Sequence, residues 1–107
     1  GEDHTALAFM AAGGHGCISV TSNVAPRLCA QMHKAWREGR IADAMAIQDR
    51  LVPLHDALFS ETSPGPVKHA ASLLGFGTAQ CRLPLAPVAE ATAARVATAM
   101  RDAGLLN

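Results

Sequence analysis

Tyrosine is absent from this chain of 107 residues, and only Phe9, Trp36, Phe59 and Phe76 are aromatic. So thin an aromatic content argues against a recognition surface built on aromatic anchors. An excess of one charge is also lacking. Nine Lys and Arg balance nine Asp and Glu, which leaves nothing to attract nucleic acid or an anionic membrane surface. Long hydrophobic runs are missing too. Half of the residues are apolar, yet polar residues and glycines break every run well short of the roughly 20 residues that span a bilayer. No basic-then-apolar leader opens the chain, and Gly1-Glu2-Asp3-His4 reads as an interior stretch of a longer sequence. Cysteine is scarce. Cys17, Cys29 and Cys81 are odd in number and far apart, so they fit neither a disulfide framework nor a metal-ligand set. That usage predicts a reducing, cytoplasmic setting, with Cys17 and Cys29 acting as small buried hydrophobes.

Reactive groups are equally sparse. The two lysines are Lys34 and Lys68. Both fall on predicted helices, where a lysine stays exposed; a nucleophilic lysine needs desolvation or a neighbouring cation. The five histidines are His4, His15, His33, His55 and His69, and no two are three or four residues apart, which excludes a helical metal-ligand pair. His15 reads as a loop residue and His55 as a hydrogen-bonded core residue. Gly13-Gly14-His15-Gly16 has the wrong order for a dinucleotide loop: helix, glycines, strand rather than strand, glycines, helix. Ser19 and Ser22 lack the surroundings of a serine nucleophile. No residue is assigned as catalytic, as a metal ligand or as a cofactor ligand.

What is present is a succession of helix signals. Residues 2–12 predict a short helix with acids at its start, ended by Gly13-Gly14. Residues 16–21 (Cys17, Ile18, Val20 and Thr21 among them) predict a buried parallel strand. Asn23 is the expected cap of the next helix, which has Pro26 in its first turn and an apolar stripe of Val24, Leu28, Met32 and Trp36. Gly39 stops it. A long helix from about Ile41 to Phe59 presents Ile41, Ala44, Met45, Gln48, Leu51, Val52, His55, Leu58 and Phe59 on its stripe, with Pro53 expected to kink it. Pro64 and Pro66 open a third helix that Gly75 closes. Residues 76–87 are irregular, and a last helix runs from about Val88 to Ala103, capped by Gly104, with Leu105-Leu106 folding back. One strand among helices leaves its backbone groups without partners, so the strand requires neighbours from further sequence or another chain.

The block Gly13-Gly-His-Gly-Cys-Ile-Ser-Val-Thr-Ser-Asn-Val-Ala-Pro26 resembles the eighth-strand region of dihydrodipicolinate synthases. The likeness continues through Gly1-Glu2-Asp3, Phe9-Met10, Leu51-Val-Pro-Leu-His55, Leu58-Phe59, Glu61, Pro64-Gly-Pro-Val-Lys68, Leu73-Leu-Gly75, Arg82-Leu-Pro84-Leu, Pro87 and Ala103-Gly-Leu-Leu106. At Gly65 the family usually carries a bulkier residue. The resemblance implies a mostly α chain, the C-terminal fragment of a (β/α)8 TIM barrel (last strand and helix) followed by a C-terminal helical domain. Residues 1–39 are then the last βα portion of the barrel and residues 40–107 the helical domain. A complete barrel needs about 250 residues.

The resemblance also implies an activity. The family condenses pyruvate with aspartate semialdehyde, through a Schiff base on a lysine, on the route to diaminopimelate and lysine, as a cytoplasmic homotetramer. Two substrate-binding positions carry over. Ile18 is similar to the residue whose backbone contacts pyruvate, and Gly1 to the glycine that lines the pocket for the second substrate. Glu2 and Asp3 border the same region or simply occupy a helix start. The Schiff-base lysine, the catalytic tyrosines, the substrate-binding arginine and the allosteric lysine site have no counterpart in residues 1–107, so these residues alone are expected to be inactive. Two other readings are a non-catalytic helical module that self-associates to cover its apolar faces, and a half-barrel that regains activity with its complement.

Overall fold

In the computed structural model, which describes residues 1–107, five α-helices account for the regular structure. They are α1 (Ala6–Ala11), α2 (Pro26–Arg37), α3 (Ile41–Leu58), α4 (Gly65–Leu73) and α5 (Glu90–Asp102). Single 3-10 turns at Asp3–Thr5 and Thr21–Asn23 precede α1 and α2.

The helix ends follow from local chemistry. Gly39 and Gly104 take φ of 75° and 81°, a left-handed conformation that costs glycine nothing extra. After each, the chain folds back onto the helix it has left: Arg40 N–H donates to Ala35 C=O at 2.9 Å and Leu105 N–H to Met100 C=O at 2.8 Å. That 6→1 bond satisfies a carbonyl the helix end would otherwise orphan. It also turns Leu105 and Leu106 onto the core. Charged side chains act at both ends of α5. Glu61 accepts the Ala89 N–H at 2.9 Å at the start, and Arg50 Nη2 donates to Ala103 C=O at 2.7 Å at the finish.

The main core unites α2, α3, α4 and α5. Leu51, Leu54, Leu58, Val96 and Met100 are sealed within it, with Val24, Ala25, Leu28, Cys29, Val67 and Ala70 around them. Fully burying such a side chain contributes about 1.5–3 kcal/mol. A smaller cluster of Ala6, Met10 and Met32 packs α1 onto α2, flanked by Leu7, Cys17, Trp36 and Ile47.

Several expectations need correction. No strand forms: residues 14–19 have no regular structure, because no second strand exists to complete a ladder. Ile18, expected to be a buried barrel residue, is 94% exposed for the same reason. Asn23 does not cap α2. Its Nδ2 donates to Val20 C=O within the preceding 3-10 turn, and Ala25 occupies the cap position. On α3, Ile41, Met45 and Phe59 face solvent, while Leu54 and Ala57, absent from the expected stripe, are fully buried. The buried face widens there because α2, α4 and α5 all pack on α3. Pro53 falls within α3 as expected, on its exposed side. No helix is long and apolar enough to cross a membrane.

Candidate functional site

Gly1 lies beside the segment just before Ile18. A Cβ added to Gly1 would lie 3.9 Å from Cys17 Sγ and 3.9 Å from Gly16 C=O, so the first residue rests against the segment that leads into Ile18. Neither the N–H nor the C=O of Ile18 has a hydrogen-bond partner in the chain. An open edge with unpaired backbone groups is suited to a ligand or a neighbouring strand, and its use depends little on the side chain.

Asp3 holds this edge in place. Its carboxylate is buried and accepts the Ser19 hydroxyl at 2.5 Å, the Val20 N–H at 2.9 Å and the Thr21 N–H at 3.2 Å. Three donors on one carboxylate offset the cost of burying it. Ser19 Oγ in turn accepts the Ser22 N–H at 2.9 Å. Thr21 is wholly buried, and its Oγ1 lies 2.7 Å from His55 Nδ1. From α3, Gln48 Nε2 donates to the carbonyls of Asp3 and His4, each at 3.0 Å; its Oε1 is buried without a partner. His4 Nε2 lies 2.5 Å from Asp56 Oδ1, and the His4 and His55 rings are 5.3 Å apart.

Burial lowers the pKa of His55, helped by His4 and opposed by Asp3 and Asp56. It therefore serves as a neutral, hydrogen-bonded core residue. Burial lowers His33 as well, with Arg37 adding to the effect. Burial raises the thiols: Cys29 is pushed up to about 11 and Cys17 is raised too, each reinforced by the nearby Asp3 carboxylate. Neither is a nucleophile at neutral pH. Lys34 is exposed and 3.9 Å from Glu38, while Lys68 Nζ donates to Gln80 C=O beside an open cleft of about 710 Å³ that includes Arg82 and Cys81. No group of three His, Cys, Asp or Glu side chains converges as a metal site would require,.

A sequence model of the dihydrodipicolinate synthetase family matches residues 1–103. The chain belongs to this family. Over all 107 residues it is 67% identical to the 4-hydroxy-tetrahydrodipicolinate synthase of Gluconacetobacter diazotrophicus, 36% of whose length is covered. It is 69% identical over 106 residues, 99% of the chain, to that of Acidiphilium cryptum, again covering 36% of the relative. The crystal structure of the dihydrodipicolinate synthase of Thermotoga maritima superposes with a TM-score of 0.97 at 39% identity, over 99% of this chain and 36% of that one. The chain thus spans about a third of the length of the relatives it matches.

For a dihydrodipicolinate synthetase family member, the fold is the all-helical C-terminal part of a TIM-barrel architecture. Gly65 is buried, and an added Cβ there would lie 3.2 Å from Val88 Cγ1, on the approach to α5. Val88 occupies part of the space that a side chain at Gly65 would take. Sequence reading singled out Gly1 and Ile18, and the structure sets Gly1 beside Gly16 and Cys17; that reading left Asp3 undecided between a pocket edge and a helix start. The only local sign was an acid two residues after Gly1. Its partners at 19–21 are visible only once the chain folds.

Proposed function

We propose that residues 1–107 form the C-terminal part of a pyruvate-dependent class I lyase that condenses pyruvate with aspartate semialdehyde in the synthesis of diaminopimelate and lysine. The observation that carries this reading is the apposition of Gly1 to Gly16 and Cys17 beside an Ile18 backbone free of internal partners. In this reading residues 1–39 complete the barrel and residues 40–107 form the helical domain that backs it. Ile18 contacts pyruvate through its backbone, and Gly1 lines the pocket for the second substrate, where the lack of a side chain allows close approach. The Schiff base forms on a lysine outside these residues: Lys34 is exposed beside Glu38, and Lys68 donates to Gln80 C=O. No cofactor takes part. The working enzyme is a cytoplasmic oligomer, and the 107 residues alone are inactive.

Exposed Phe9, Ile18, Met45, Phe76 and Leu83 support self-association of the isolated chain,. The test is borohydride reduction with pyruvate, read by intact mass. The 107-residue chain should gain no adduct, whereas a longer protein that contains it should gain one. A pyruvate adduct on Lys34 or Lys68, or none on the longer protein, refutes the proposal. Light scattering on the chain should give a mass above that of a monomer.

A further inference from the structure

Two residues that make no direct claim on a substrate decide where Ile18 sits. The Ile18 side chain is almost fully exposed and anchors nothing, and its peptide groups bond to nothing within the chain. Its position is therefore set by what grips its neighbours. Ser19 is gripped on both sides: its hydroxyl donates to Asp3 and accepts from Ser22 N–H, and its carbonyl accepts the Ser22 hydroxyl at 3.2 Å. Val20 and Thr21 follow, both bonded through their amides to the other Asp3 oxygen. Because Asp3 lies two residues after Gly1, one carboxylate ties the two proposed substrate positions to each other.

This clasp is mounted on α3. Gln48 and His55 are seven residues apart, two helical turns, and so share one face. Gln48 holds the backbone of Asp3, and His55 holds the hydroxyl of Thr21. All four are buried. We propose that Asp3 and Thr21 are positioning residues that set the Ile18 backbone for pyruvate and transmit its placement to the helical domain through Gln48 and His55. The inference rests on the reading of Ile18 as a substrate contact.

The test uses the longer protein that contains this chain, with steady-state kinetics in pyruvate. Asp3→Asn replaces one acceptor oxygen by an N–H that opposes its donors. It should raise the KM for pyruvate roughly tenfold and lower kcat by less, since misplacement of a binding group by a fraction of an ångström costs that order. Thr21→Val removes the hydroxyl that meets His55 and should raise KM several-fold, by roughly half that effect on a logarithmic scale. Thr21→Ser keeps both the hydroxyl and the N–H and should restore KM. Amide exchange at Val20 and Thr21 should quicken in Asp3→Asn. If Asp3→Asn fails to fold, the Thr21 pair carries the test, because the two variants differ in the hydroxyl. An unchanged KM in Asp3→Asn and Thr21→Val, or a Thr21→Ser variant as impaired as Thr21→Val, overturns the inference alone. Wild-type protein that traps no pyruvate overturns the substrate reading, and this inference with it.

Discussion

Residues 1–23 and residues 24–107 are held together by different forces. In the second region, α2 to α5 share one apolar core in which Leu51, Leu54, Leu58, Val96 and Met100 are sealed from solvent. In the first, α1 places Ala6 and Met10 in a small cluster flanked by Leu7 and Cys17, Val20 touches the main core, and hydrogen bonds involving Asp3, Gln48 and His55 fasten the segment. Apolar packing is non-directional and tolerates drift, whereas a carboxylate with three donors fixes backbone atoms in place. The region proposed to meet substrate is the one that uses directional contacts, and the helical region is the frame that bears them.

That contrast can be broken most sharply by removing core volume. Leu54→Ala should destabilise the chain by about 2–5 kcal/mol, measured by thermal or urea unfolding. Ile18→Ala, on the exposed edge, should stay within about 0.5 kcal/mol in the same assay. A large loss for Ile18→Ala would show that the edge is buried in solution. Gly104→Ala comes next. It forces a side chain into φ of 81°, with its Cβ 2.9 Å from the Arg50 guanidinium that closes α5, and should cost about 1–2 kcal/mol in the melting experiment.

The smallest effect is a pH dependence carried by the polar region. His55 and His33 have folded-state pKa values below the ordinary imidazole value because burial disfavours their charged forms. The unfolded chain then takes up protons first as pH falls. Stability is complete above the unfolded value of about 6.5 and declines as pH drops through it toward the folded values. Denaturant midpoints across that range should fall with pH. His55→Gln should flatten part of the slope, whereas a slope of opposite sign would contradict the burial of a neutral His55.

Helix signals were legible because they are local. The turns after Gly39 and Gly104, the opening of α4 around Pro64 and Pro66, and the return of Leu105-Leu106 all depend on residues a few positions apart. The strand expected over 16–21 does not form within this chain, because β propensity favours a conformation that only a partner strand can complete. Leu54 and Ala57 lie outside the predicted stripe because three helices pack on α3, which no single-face periodicity encodes. Asn23 had the chemistry of a cap, yet the turn from Thr21 to Asn23 drew its side chain back to Val20.

The amino-acid sequence alone determined the helices, their stops and the resemblance that singled out Gly1 and Ile18, since each rests on residue types at short spacing. Tertiary structure decided that Asp3 reaches Ser19, Val20 and Thr21, that His55 meets Thr21, and that Ile18 lies open. Those contacts join residues 16 to 34 positions apart, and a hydrogen bond between distant residues exists only after packing has paid the entropy of bringing them together.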